Sequence, residues 1–199
     1  MPSYAKRQKR RKSPKFLILV VNTAYFGINS HRLEIFLMIK IMFVCHGNIC
    51  RSPMAEFIFK RLTASQGLED MFSVASSAVS FEEIGNPVYP PARERLLKEG
   101  ISCEGKRAEH FEASDYYEND YICVMDNSNM RNILHITNGE NDGRIKLLLE
   151  YAGENRSVSD PWHSGDFDTA YNDILKGCKA LLEYIIKNEL SYESYSKGH

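Results

Sequence analysis

The stretch between residues 39 and 67 leaves few folds open. Residues 39–44 are a short apolar run of strand formers, followed at once by a polar, glycine-containing turn. From Ser52-Pro53 onward, Met54, Phe57, Ile58 and Leu62 fall on one helical face, and Gly67 closes the pattern. Ser52 suits the N-cap and Pro53 the first helical position. A strand that passes through a tight turn directly into a helix is the opening unit of a parallel α/β sheet. It aims the turn at a helix N-terminus.

The remaining pattern repeats that unit. Strands are expected near 72–75, 121–125 and 145–149, and helices at 91–99 (closed by Gly100), at 129–134 and from 167 to about 188. The last helix carries an apolar stripe of helical period that includes Phe167, Ile174, Cys178, Leu181 and Ile185. Strands alternating with helices imply a small doubly wound, flavodoxin-like α/β fold. Four parallel strands are covered by helices on both faces, and ligands bind at the carboxyl ends of the strands. The turn at 45–51 lies at such an end.

One domain over residues 38–190 accounts for this pattern, with a polar tail at 191–199. Residues 1–37 differ in character: Lys6, Arg7, Lys9, Arg10, Arg11, Lys12 and Lys15 precede an apolar run at 16–21. That run is too short to span a bilayer, and no small-residue cleavage site follows it. The segment reads as an extension outside the fold, with Met38 as an alternative start. An exported leader and a basic arm on a membrane surface are the other two readings.

The formal net charge is -1, which gives no basic footprint for nucleic acid. The five cysteines are odd in number and scattered apart from the pair Cys45 and Cys50. They form no disulfide framework and fit a reducing cytoplasm.

The turn itself reads Cys45-His46-Gly47-Asn48-Ile49-Cys50-Arg51-Ser52. Backbone N–H groups of a tight loop ending at a helix N-terminus converge on one point, and the helix dipole adds positive potential, so an oxyanion binds there. The same field favours a cysteine thiolate. Arg51 supplies a planar fork that matches two phosphoryl oxygens. Gly47 and Asn48 are the residue types that tolerate the left-handed backbone such a loop needs. Ser52 is placed to donate its hydroxyl to the Cys45 sulfur. A bare Cys-x5-Arg spacing is weak evidence; the strand before it, the helix after it and the glycine inside it make it specific. A buried structural cysteine ahead of a helix-opening arginine is the competing reading.

Residues 44–56, from Val44 through Cys45-His46-Gly47-Asn48-Ile49-Cys50-Arg51-Ser52-Pro53 to Glu56, resemble the signature of the low-molecular-weight protein tyrosine phosphatases. Two further segments agree in order and spacing, at 125–131 and at Asp160-Pro161-Trp162-His163, the latter followed by Gly165-Asp166-Phe167 as in the bacterial form. The likeness covers roughly residues 38 to 187. It implies hydrolysis of phosphotyrosine through a cysteinyl phosphate, with Cys45 as nucleophile, Arg51 as phosphate clamp and Asp160 as general acid. No cofactor and no metal are implied. Substrate-binding residues by the same likeness are His46, Gly47, Asn48, Ile49, Cys50, Ser52 and Trp162.

Further implications of the likeness are that Trp162 and Phe81 wall the slot for an aromatic ring, that Ser77 supports Asn48, and that Asp126 helps to position the acid loop. Cys50 would form a protective reversible disulfide with Cys45. Gly105 stands where relatives often carry a supporting histidine. Asp166 reads as the cap of the long helix. Implied partners are tyrosine-phosphorylated proteins, a bacterial tyrosine kinase among them. Two enzymes and one binding module compete with this reading. Protein arginine phosphatase has a threonine where this chain has Ile49. Thioredoxin-coupled arsenate reductase needs a cysteine pair that Cys103 and Cys123 are poorly spaced to supply. A non-catalytic phosphate-binding module is opposed by the joint presence of Cys45, Arg51 and Asp160.

Overall fold

The computed structural model describes residues 38–190; the expectations for residues 1–37 and for the tail lie outside the described residues. Four parallel strands, β1 (Ile39–Cys45), β2 (Phe72–Ala78), β3 (Tyr121–Val124) and β4 (Ile145–Leu147), form one sheet in the order β2-β1-β3-β4. The helices are α1 (Arg51–Ala64), α2 (Pro90–Leu97), α3 (Ala113–Glu118), α4 (Asn127–Ile136), α5 (Pro161–Ser164) and α6 (Phe167–Ile185). The strand order reverses direction at β1, the first strand. A doubly wound sheet opens its crevice at that point, beyond the carboxyl ends of the strands.

Alternation along β1 separates the two cores. Ile39, Ile41, Phe43 and Cys45 enter the larger core with Met54, Ile58 and Phe59 of α1, Ala92 and Leu96 of α2, and Ile174, Cys178 and Leu181 of α6. Met42 and Val44 point the other way, toward Phe111, Tyr116 of α3 and Ile133 of α4. A fully buried Leu, Ile or Phe in either layer contributes about 1.5–3 kcal/mol relative to exposure. Gly177 lets α6 lie close: a Cβ there would sit 2.5 Å from Leu148 Cγ.

Several boundaries differ from those expected. The loop winds tightly enough that α1 begins at Arg51, with Cys50 as its N-cap. Ser52 is therefore inside the first turn, and its hydroxyl is turned to the cysteine rather than used as a cap. β2 continues to Ala78, because Ser76, Ser77 and Ala78 still pair with Phe43, Val44 and Cys45. β4 stops at Leu147, where the chain tightens into a 3-10 turn at Leu148–Ala152. The short helix α3 was unanticipated: only Tyr116 in it is buried, so it has no apolar period, and a reciprocal Glu112–Asp115 capping box holds its start. Asp166 does cap α6, its carboxylate accepting the Thr169 N–H. Among the described residues no helix is long and apolar enough to cross a membrane.

Candidate active site

Cys45 ends β1 and is buried. Its sulfur accepts the Asn48 N–H at 3.3 Å and lies 3.0 Å from Ser52 Oγ. Two serines and a left-handed asparagine hold that arrangement. Asn48 has φ 55°, a conformation a non-glycine residue keeps only where its surroundings enforce it. Its side-chain Nδ2 donates to Ser52 Oγ and to Ser76 Oγ, each at 2.8 Å, and its Oδ1 accepts the Glu109 N–H at 3.0 Å. Asn48 is thus pinned at every polar atom of its amide.

The carbonyls of Cys45, His46, Ile49 and Cys50 accept N–H groups from Val79, Ser80, Tyr89 and Met54. With its carbonyls engaged outward, the loop keeps its N–H groups for the concave side. Gly47 plays a different part from the one expected. It is absent from the left-handed positions and is required for space, since a Cβ would lie 3.1 Å from Glu83 Cγ.

Arg51 is buried at the helix start, and its fork spans two carboxylates. Nη1 lies 2.8 Å from Asp126 Oδ2 and Nη2 lies 2.9 Å from Asp160 Oδ2. Each carboxylate is oriented by its own helix: Asp126 Oδ1 accepts the Asn129 N–H at the start of α4, and Asp160 Oδ1 accepts the Trp162 N–H at the start of α5. Pro161 occupies the first position of α5, where its missing N–H costs nothing. The segment leading to Asp160 is anchored by Val158 N–H on the Met125 carbonyl and by Ser159 N–H on Asp173 of α6. Asp173 in turn accepts from both terminal guanidinium nitrogens of Arg156, at 2.8 and 2.7 Å. Those hydrogen bonds hold the Asp173 carboxyl below its ordinary range.

These groups share one open cleft of about 380 Å³, lined by Cys45, His46, Gly47, Ile49, Cys50 and Arg51 from the loop and by Asp126, Asp160 and Trp162 opposite. Trp162 is 55% exposed at the rim and packs on Tyr89, ring centres 5.3 Å apart. Burial, then the neighbouring Cys45, pushes the Cys50 thiol up to about 12, so it stays protonated at neutral pH.

Some expected positions fall elsewhere. Asn48 and Ser52 lie behind the cleft and act on it through Cys45. Phe81 is outside the lining; its ring stacks on His110 at 3.6 Å. The serine that supports Asn48 is Ser76, not Ser77, because Ser76 pairs with Phe43 in register and shares its α1-facing side. Gly105 leaves no gap in the support: Lys106 beside it donates to the Ser76 carbonyl at 2.9 Å and pairs with Glu56 at 3.3 Å. Glu82, Glu83, Ser128, Asn129 and His163 also line the cleft. Ser128, Asn129 and His163 fall within the segments at 125–131 and 160–163 that agree with the family, whereas nothing in the spacing marks Glu82 and Glu83, since the β2–α2 loop carries no periodic pattern. Among the described residues, no group of His, Cys, Asp and Glu is arranged to hold a metal ion.

Residues 40–191 match the model of the low molecular weight phosphotyrosine protein phosphatases. The chain belongs to that family. Low molecular weight protein-tyrosine-phosphatase YfkJ of Bacillus subtilis is 39% identical over 154 residues, covering 76% of this chain and 99% of that protein. Its crystal structure superposes with a TM-score of 0.74, covering 76% of this chain and 96% of that one. PtpA of Staphylococcus aureus is 37% identical over 152 residues, covering 76% of this chain and 96% of its own length. A Drosophila arginine phosphatase is 31% identical with a TM-score of 0.69, covering 76% of this chain and all of that chain. The β2-β1-β3-β4 sheet is therefore the phosphatase family's fold, and Cys45 and Arg51 of the loop at 45–51 fit that family's nucleophile and phosphate-binding mechanism.

Proposed function

We propose that this chain is a protein tyrosine phosphatase working through a cysteinyl-phosphate intermediate. Cys45 thiolate attacks phosphorus, and the bond from phosphorus to the tyrosyl oxygen breaks. Asp160, as the acid, gives its proton to that oxygen, because phenolate, with a conjugate-acid pKa of about 10, leaves slowly unprotonated. In the second step water attacks phosphorus, Asp160 takes its proton, and the sulfur–phosphorus bond breaks to restore the thiolate. The Ser52 hydroxyl supports the departing sulfur. Arg51 and the loop N–H groups hold the phosphoryl oxygens in both steps.

The single observation that carries this reading is the meeting of Cys45, the Arg51 fork and Asp160 in one cleft, with Asp160 2.9 Å from Arg51. As a phosphoryl group takes the fork, the Asp160 carboxyl is released at the side where the leaving oxygen lies. Trp162, at the rim and packed on Tyr89, offers an aromatic ring a packing surface. Ile49, apolar and lining the cleft, favours an aryl over a guanidinium leaving group. The physiological substrates are cytoplasmic tyrosine-phosphorylated proteins, a tyrosine kinase among them. Residues 1–37 lie outside the catalytic domain.

A panel of phosphotyrosine, phosphoserine and phosphoarginine peptides, each assayed with wild type and Cys45→Ser, tests the proposal. Preferred hydrolysis of phosphotyrosine, lost in the variant, is expected. Preference for phosphoarginine would move the chain to the arginine phosphatases, and activity retained by Cys45→Ser would remove the nucleophile.

A further inference from the structure

We infer that Glu82 and Glu83, on the loop between β2 and α2, set the substrate class of this cleft: phosphotyrosine flanked by basic residues is favoured, and acid-flanked phosphotyrosine is rejected. The inference rests on the phosphotyrosine phosphatase reading and adds which peptides that activity serves. Among the described residues that line the cleft, Glu82, Glu83, Asp126 and Asp160 are carboxylates, and Arg51 is the one Lys or Arg. The Arg51 fork is already matched by Asp126 and Asp160, at 2.8 and 2.9 Å. Among the described residues no Lys or Arg pairs with Glu82 or Glu83. Glu82 meets His46 at 3.2 Å, and Glu83 accepts from Asn86 Nδ2 at 2.7 Å. An amide and an imidazole orient a carboxylate without the fixed positive charge that would cancel it.

A surplus of carboxylate at the mouth opposes a phosphate dianion, whatever carries it. The loop N–H groups and Arg51 hold the dianion itself, so the surplus acts on what surrounds it. A cation beside the phosphotyrosine offsets the repulsion, and a further anion adds to it.

The carboxylates are also held in place. Glu82 and Glu83 follow β2 and Asp126 follows β3, the two strands that flank β1, so acid stands on both sides of the phosphate loop. The Ser80 N–H donates to the His46 carbonyl, the Glu82 N–H to Ser80 Oγ at 3.2 Å and the Gly85 N–H to the Ala108 carbonyl at 2.9 Å. Glu83 lies against the phosphate loop, its Cγ 3.1 Å from where a Gly47 Cβ would stand. Phe81 stacks on His110 outside the lining. Glu82, with its side chain 74% exposed, is left to meet an incoming chain. At that exposure the attraction is screened and has the size of a surface ion pair.

Three otherwise identical peptides, with Lys, Ala or Glu on both sides of the phosphotyrosine, read the preference as kcat/KM at low salt and about pH 8, where imidazole is ordinarily neutral. Wild type should favour the Lys peptide over the Glu peptide by about tenfold, the size of a few surface charge contacts. The difference should lie in KM, with kcat within about twofold, because a flank contact is the same in the ground and transition states. It should fall towards one in molar salt, where the screening length is about 3 Å.

Glu82→Gln should cut the ratio to about threefold, and Glu82→Lys should bring it to about one or reverse it. Glu82 is exposed, so neither substitution threatens the fold. Glu69→Lys makes the same charge change ahead of β2, at the end of the sheet away from the cleft, and should leave the ratio unchanged. Equal kcat/KM for the three peptides, or a ratio that Glu69→Lys alters as much as Glu82→Lys does, would overturn the inference. Hydrolysis of none of the phosphotyrosine peptides would instead overturn the reading beneath it.

Discussion

The two halves of the cleft are built on different terms. On the loop side, Cys45, Asn48, Arg51 and Ser52 are buried, and Asn48 and Ser52 are fixed by hydrogen bonds to α1, β2 and the 107–110 segment. On the opposite side, Asp160 stands at the start of a four-residue helix whose Trp162, His163 and Ser164 are exposed. Beyond the contacts of its carboxylate with Arg51 and the Trp162 N–H, its anchors are indirect: Ser159 on Asp173, Asp173 on Arg156, and Val158 on Met125. A group that must bind the same dianion in every step gains from being rigid. A group that must first give a proton and then take one gains from a hinge. In the proposed mechanism, the contrast teaches that binding geometry is built into the sheet and α1, whereas proton transfer falls to a short segment attached at a few points.

Substitutions on the loop side should accordingly cost more than those on the acid side. Cys45→Ser should abolish turnover while phosphate or vanadate binding remains measurable by calorimetry, because Arg51 and the loop N–H groups are untouched. Arg51→Lys should be nearly as severe despite the retained charge, since the fork is lost; steady-state rates within threefold of wild type would contradict a bidentate clamp. Asp160→Asn should slow phosphorylation of Cys45 by roughly 10²- to 10⁴-fold with phosphotyrosine and by clearly less with nitrophenyl phosphate, whose leaving group needs little protonation. Equal slowing in rapid-quench measurements with both would mean that Asp160 positions the loop and that Asp126 is the next donor to test.

Smaller effects should come from the anchors of the acid side. Asp173→Asn should lower kcat for phosphotyrosine a few-fold and leave nitrophenyl phosphate nearly unchanged, as expected when an acid is displaced rather than removed. Because the Asp173 carboxyl is held below its ordinary range by Arg156, the stability this pair adds is present above about pH 4 and is lost as pH falls through its folded-state value. The difference in melting temperature between wild type and Asp173→Asn should therefore shrink below pH 4; a constant difference would remove the linkage. Cys50, with its thiol protonated at neutral pH, should escape alkylation under conditions that modify Cys45. After mild peroxide treatment a linked Cys45–Cys50 peptide should be detected by mass spectrometry, and Cys50→Ser should recover less activity on reduction.

The loop side was legible in the sequence for a physical reason. A Cys-x5-Arg turn between an apolar strand and a helix start leaves local marks, and so do Gly47 and Asn48, although the reason for Gly47 turned out to be space beside Glu83. Asp160 was readable through Pro161, but its surroundings were not: Asp173 of α6, paired with Arg156, holds the neighbouring Ser159 N–H, and no local pattern encodes that. The support of Asn48 was misread by one residue, because strand register decides whether Ser76 or Ser77 faces α1. The inward turn of Lys106 toward Glu56 escapes the sequence for a similar reason, since the turn at Glu104 and Gly105 has no period that tells which side chain after it faces the core.

The central claim is that phosphate passes through Cys45. Rapid acid quench of wild type mixed with excess phosphotyrosine substrate, followed by peptide mass spectrometry, tests it directly. The account requires one phosphoryl group on the peptide containing Cys45, absent in Cys45→Ser and accumulating where hydrolysis of the intermediate is slow. Phosphate trapped on another residue, or release of inorganic phosphate by Cys45→Ser at the wild-type rate, would contradict it.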